Sequence, residues 1–274
     1  MNQSELFDWV ALTDRGRVRS KNEDHVSTDA DIGTFVLADG MGGHRGGEVA
    51  SAIAVNTVLE HLKLQLPQLA PGEIDESLGY TGESLAAREA VIQANREIYD
   101  AARHQPQYEG MGTTLVVAVF YLDRLSIAHV GDSRLYRVRQ GQLEQLTSDH
   151  TMRQELVDRG FYTEQEARSM VQRNLVTRAL GVDESVAVDI QEELVLPGDL
   201  YALCSDGLYD MLDEEIIARS LGACNDLQQC AQELIDLANN SGGKDNISLI
   251  LVRPSTDPAP QRRPWYRRIG EWLR

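Results

Sequence analysis

Strand-like and helix-like periodicities do not alternate along this chain; they come in blocks. Residues 7–12 read as a first strand closed by a Thr13-Asp14-Arg15-Gly16 turn, and 34–38 as a short apolar strand ending at Asp39-Gly40. Two helical patterns follow. One covers 46–66, with Val49, Ile53, Ala54, Leu59, Leu62 and Leu66 near helical spacing; the other begins at Ser84 and carries Ala87, Val91, Ala94, Ile98 and Ala101 as one stripe. The Pro-, Gly- and acid-rich stretch 67–82 connects them. Strand patterning returns at 113–121, 124–130 and 134–139, which read as an antiparallel meander, and again at 186–196 and 200–204. Helices over about 214–221 and 226–239 precede a last strand, 247–252. This order is not that of a parallel doubly wound fold. It predicts an α/β chain of the α+β type: a central sandwich of two mainly antiparallel sheets flanked by helix pairs.

Two segments stand apart from that frame. Residues 148–181 are polar and charged, lie between strand segments, and read as an inserted flap of short helices. After residue 253, Pro254, Pro258, Pro260 and Pro264 break structure repeatedly. Five arginines (262, 263, 267, 268 and 274) against Asp257 and Glu271 leave this tail net +3 in a chain of formal charge −17. The expected organisation is one domain over 1–253, with 148–181 as its flap, and a tail over 254–274. The tail is expected to be an extension, with contact to an anionic membrane or a partner as the alternative.

Acidic residues recur in one kind of context. Asp39 (LADGMGG), Asp206 (LCSDGL), Asp245 (GGKDN) and the Glu23-Asp24 pair (RSKNED) each stand where an apolar strand ends or a glycine turn begins; Asp132 lies in VGDSR. Strand ends are rigid supports, and glycine lets backbone carbonyls approach a ligand closely. Hard divalent cations take such oxygen ligands, and two ions can share a bridging carboxylate and a bridging water. Taken singly, each Asp-Gly is an ordinary turn signal. Spacing alone does not establish that these acids converge.

The charge opposes non-specific nucleic-acid binding. Three cysteines, Cys204, Cys224 and Cys230, form no CxxC pair and favour a reducing, cytoplasmic setting over a disulfide framework or zinc site. Cys204 reads as a small buried hydrophobe rather than a nucleophile. No apolar run approaches the ~20 residues of a membrane span. A monomer is the simple expectation.

The motifs, taken in order, resemble the metal-dependent protein phosphatase (PPM, type 2C) family, especially its compact bacterial members. They are Thr13-Asp14-Arg15-Gly16 with Arg19 to Asp24, Ala38 to His44 followed by Gly47-Glu48, Gly112-Thr113-Thr114, Val130 to Arg134, Ser148-Asp149-His150, Cys204 to Leu208, and Gly243 to Asn246. The resemblance implies a protein serine/threonine phosphatase that hydrolyses its substrate with a metal-activated water and no covalent phosphoenzyme. It implies two core Mg²⁺ or Mn²⁺ ions and a third. Asp39 would bridge the core pair, Glu23 and the carbonyl of Gly40 would serve one ion, Asp206 and Asp245 the other, and Asp132 with Asp206 the third. Asp24 would bond metal waters, Asn246 would sit in the supporting shell, and Arg19 would hold the phosphate. Phosphorylated proteins, including a cognate kinase or its substrates, would be the partners, and the flap would lie beside the site.

Animal-type members carry a histidine general acid directly after the bridging Asp-Gly; here that position is Met41. His44 lies nearby, with a packing role preferred over assistance in proton transfer. Two rival readings are a non-catalytic phosphoprotein-binding module and a hydrolase with an aspartyl nucleophile. The first would be supported by loss of a metal acid, and none is lost. For the second, Asp29-Ala30-Asp31 has the spacing but no apolar strand before it.

Overall fold

The computed structural model describes residues 6–42, 46–170 and 175–255. Among these, eleven strands form two antiparallel sheets. In chain order the strands are β1 (Phe7–Asp14), β2 (Asp24–Asp29), β3 (Thr34–Met41), β4 (Gly112–Thr113), β5 (Leu115–Tyr121), β6 (Arg124–Val130), β7 (Arg134–Arg139), β8 (Gln142–Gln145), β9 (Asp189–Leu194), β10 (Leu200–Cys204) and β11 (Ile247–Pro254). One sheet runs β1-β11-β10-β7-β8; the other runs β2-β3-β5-β6-β9, with β4 paired to β3.

Both faces of the central strands are buried, which is why they read as continuous apolar runs rather than alternating ones. Phe35 and Leu37 of β3 pack into the space between the sheets, against Phe120, Tyr201, Ile250 and Val252. Their neighbours Val36 and Ala38 face the opposite way, onto helices α1 (Gly46–Gln65) and α2 (Gly82–His104). The α2 stripe Ala87, Val91, Ala94 and Ile98 is fully buried there. On the other sheet, Leu249 and Leu251 meet Leu234 and Ile235 of the C-terminal helix pair. The predicted α-β-β-α layering is therefore the observed one.

The segment expected to form a flap, 148–181, holds two short helices, α3 (Met152–Asp158) and α4 (Glu164–Met170). Three more follow: α5 (Asp206–Tyr209), α6 (Glu214–Gly222) and α7 (Leu227–Asn240). The flap's base is tied down by single bridges between Thr151 and Val176 and between Thr113 and Leu180. The tail, from residue 256 on, and its proposed contacts lie outside the described residues, as does His44.

Two local expectations are corrected. β5, β6 and β7 are not one meander: β5 and β6 pair with each other, but β7 pairs with β10 in the other sheet. The chain crosses between sheets at Gly131-Asp132-Ser133. There Gly131 has φ +102°, and a Cβ on it would lie 2.6 Å from the Thr114 Cβ. Gly131→Ala is expected to cost more than ~1 kcal/mol, read as a lower urea midpoint at unchanged slope. Second, β3 does not end at Asp39-Gly40 but continues to Met41, because Gly40 and Met41 pair with β4.

Candidate active site

The register of the ladders brings the acids together. β2 and β3 place Asp24 directly opposite Asp39. β10 ends at Cys204, so Ser205 and Asp206 emerge where β10 adjoins β11, whose own start follows Asp245-Asn246. Ser205 Oγ donates to Asp24 Oδ2 at 2.8 Å, joining the two sheets at this end of the sandwich. The crossover delivers Asp132 to the same end.

The electrostatics record the convergence. Burial pushes the Asp39 carboxyl well above the usual range, and the charges of Asp24, Asp206, Asp132 and Asp245 push it further. Asp206 is raised in the same way by burial, then by Asp132 and Asp245. Asp24 is pushed up to about 6 by burial, against hydrogen bonds from Ser248 and Ser205 that favour its charged form. Asp132 also rises to about 6, through burial and then Asp149. Such packing of like charges disfavours the ionised protein unless cations share the site.

Glu23 sits at the rim. Its backbone N–H donates to Asn246 Oδ1 at 2.8 Å, and its carbonyl accepts from Ser51 Oγ at 2.6 Å. Asn246 Nδ2 donates to the carbonyls of Arg15 and Lys21, so this buried amide clamps the whole loop between β1 and β2. A Cβ on Gly40 would meet the Gly47 carbonyl oxygen at 2.1 Å and that of Glu23 at 2.5 Å; one on Gly47 would lie 2.8 Å from Glu23 Oε2. Only glycine allows this approach, which seats the Glu23 carboxylate against the start of α1. Arg19 Nη2 donates to Asp245 Oδ2 at 2.6 Å. The pair is solvent-exposed, worth at most about 1 kcal/mol and readily exchanged. The charges of Asp206 and Asp39 also act on this guanidinium.

The residues fit divalent cations. Asp24 Oδ1 and Asp206 Oδ1 are buried with no hydrogen-bond partner, which is costly for a carboxylate unless an ion or its waters complete it. The donor set is all oxygen, the preference of Mg²⁺, Mn²⁺ and their kind.

Residues 16–247 match the family described as Protein phosphatase 2C. The chain belongs to the protein phosphatase 2C family. It is 40% identical over 249 residues to the serine/threonine protein phosphatase PstP of Mycobacterium tuberculosis, covering 90% of this chain but 45% of that protein. Thus it spans under half the length of that relative. It is 38% identical over 243 residues to the serine/threonine phosphatase stp of Listeria monocytogenes, covering 88% of this chain and 93% of that one. Among solved structures, mycobacterial PstP superposes with a TM-score of 0.80 at 37% identity, covering 91% of this chain and 99% of that chain. A PstP catalytic domain in complex with two manganese ions superposes with a TM-score of 0.76 at 36% identity, covering 90% and 97%.

In this protein phosphatase 2C member, several supporting residues were not singled out by sequence reasoning. Ser205 was visible only as a motif letter beside Asp206. Tyr209, at the end of α5, donates to the Asp132 carbonyl at 2.9 Å and so links the Asp206 helix to the Asp132 crossover. Arg134 stacks 3.7 Å above the Tyr209 ring and grips Asp149 through Nε and Nη2. Cys204 is fully buried, its thiol pushed up to about 12, which fits packing and not nucleophilic chemistry.

His129, His150 and Asp189 also bring three ligand-type atoms within 4.8 Å of one another. Their bonding explains them without an ion. His150 Nδ1 accepts from the Gly131 N–H at 3.0 Å, and its Nε2 lies 3.2 Å from Asp189 Oδ2 and 3.0 Å from Arg178 Nη1. Arg178 supplies the cation, donating to Asp189 Oδ1 at 2.6 Å. Burial lowers both histidines, keeping them neutral. The group fastens the flap base to the crossover that carries Asp132.

Proposed function

We propose that this chain is a metal-dependent phosphatase that hydrolyses phosphoserine and phosphothreonine in protein substrates and opposes a serine/threonine kinase. The observation that carries the reading is the convergence of Asp24, Asp132, Asp206 and Asp245 on Asp39, with Arg19 paired to Asp245 and within reach of the charges of Asp206 and Asp39. Asp39, Glu23 and the Gly40 carbonyl, with Asp206 and Asp245, would hold two core Mg²⁺ or Mn²⁺ ions; Asp132 with Asp206 would hold a third. Bound there, the ions supply charge neutralisation of the phosphate and a water acidic enough to attack at neutral pH.

The chain's own residues do the rest. Arg19, released from its exposed pair with Asp245, offers phosphate oxygens a planar fork of donors. Asp24 accepts from Ser205 through one oxygen and keeps the other buried with no hydrogen-bond partner, free to accept from a water in the site. Asn246 holds the loop carrying Arg19 and Glu23 in register with β11. Met41 cannot transfer a proton, so leaving-group protonation falls to solvent within the site. The reading includes a monomer in a reducing, cytoplasmic setting, in keeping with free Cys204, Cys224 and Cys230. No described helix is long and apolar enough to cross a membrane.

The test is release of inorganic phosphate from a phosphothreonine peptide. Turnover is expected with Mn²⁺, to disappear with EDTA, and to return when Mn²⁺ is added in excess. Full turnover in chelator would refute the reading.

A further inference from the structure

A groove of about 960 Å³ starts at the loop that carries Arg19 and Glu23 and runs along the outer side of α1. Its mouth is basic: Arg15 and Lys21 line it, beside Glu48 at the first turn of α1. Its floor is apolar. Val49, Ile53 and Tyr108 are half-buried there and rest on the core beneath. Its far end is acidic, lined by Glu60 of α1 and Glu97 of α2. Glu97 is held in place by Thr57 Oγ1 at 2.6 Å and Gln93 Nε2 at 3.1 Å. Charge therefore changes sign along one continuous surface, which begins at Lys21, Asn22 and Glu48, the chain neighbours of Glu23 and of the Gly47 against which the Glu23 carboxylate is seated.

We infer that this groove takes the polypeptide flanking the phosphoresidue, and that it selects substrates with a lysine or arginine about five residues from that phosphoresidue. The inference rests on the phosphatase reading and adds a substrate preference to it. The length follows from helix geometry. Glu48 and Glu60 are twelve residues apart on α1, a rise of about 18 Å, which an extended peptide covers in about five residues. The phosphate end of the substrate meets Arg19, Arg15 and Lys21, an apolar side chain meets Val49, Ile53 and Tyr108, and a cationic side chain reaches Glu60 and Glu97. The Lys21–Glu48 contact at the mouth, 3.8 Å long and exposed on both sides, is weak enough to yield to a substrate.

The experiment compares phosphothreonine peptides carrying two arginines or two glutamates at the fifth and sixth positions on either side of the phosphothreonine, assayed with Mn²⁺. Each kcat/KM is divided by that of the same protein for p-nitrophenyl phosphate. On one side, the arginine peptide is expected to be preferred by roughly tenfold, and Glu60→Lys to cut that preference by roughly fivefold. Glu60→Gln should cut it about half as far on a logarithmic scale, and 0.5 M salt should largely erase it. Because the whole chain is acidic, Glu233→Lys, at an exposed position on the outer face of α7, serves as the control with the same change in net charge. A loss of preference as large in Glu233→Lys as in Glu60→Lys, or in neither, overturns the groove assignment while the phosphatase reading stands. Absence of turnover on every peptide and on p-nitrophenyl phosphate overturns both.

Discussion

Replacing Asp39 by asparagine is expected to lower turnover of a phosphothreonine peptide in Mn²⁺ by roughly 10³-fold, because one shared carboxylate would anchor both core cations and several kcal/mol of charge stabilisation depend on them. The amide keeps the shape and removes the charge, so collapse of the fold is not the cause. The expected stability change has the opposite sign. Asp39 carries the charges of four neighbouring aspartates at its carboxyl. Neutralising it relieves that repulsion, so in EDTA the variant should melt above the parent. With Mn²⁺ the order should reverse, because the parent gains binding energy that the variant cannot. Retention of a tenth or more of parental turnover, or an undiminished rise in melting temperature on adding Mn²⁺, would remove Asp39 from the centre of the site.

Much of this was legible because the acids sit on strands whose apolar character is unmistakable. The runs 34–38 and 200–204 are buried on both faces, and that double burial both writes them into the sequence and makes them rigid supports for Asp39 and Asp206. The layering was legible for the same reason, as was the α2 stripe, and the short helices expected within 148–181 are found there. What escaped is what tertiary pairing decides. β2 reads DHVSTD; as an edge strand it is half-exposed along most of its length, so no alternation announces it. Yet its register is what sets Asp24 against Asp39. The change of sheet at Gly131 escaped because a tight turn and a crossover use the same residues, and only the partner strand distinguishes them. Ser205 escaped as an anchor, and Asn246, expected in the supporting shell, could not be given its partners, because a hydroxyl or amide gains its meaning from groups far away in sequence: Asp24 lies 181 positions from the one, and Lys21 lies 225 from the other.

The same crowding predicts an unusual dependence of stability on pH once metal is removed. An unfolded aspartate titrates near 3.9. Asp24 and Asp132 titrate at about 6 in the fold, chiefly because burial penalises the charge. A carboxyl raised in this way contributes stability that is fully present below the unfolded value and lost as the pH climbs through the folded one. The gap is worth ~3 kcal/mol for each of these buried groups. Asp39 and Asp206 are raised in the same direction by burial and by their neighbouring aspartates, and so add to the decline. Asp189, Glu192 and Asp199, held below the usual range by their partners against the effect of burial, act the other way, losing stability only as pH falls below about 4. In EDTA the protein is therefore expected to be most stable near pH 4 to 5 and to lose several kcal/mol by pH 7.5. Cations bind only the deprotonated acids, so the gain from Mn²⁺ should be small near pH 5 and largest at pH 7.5 to 8. Urea titrations with Mn²⁺ and with EDTA across this range measure both curves. A chelated protein whose stability is flat or rises between pH 5 and 7.5 would mean that these aspartates do not share one buried site.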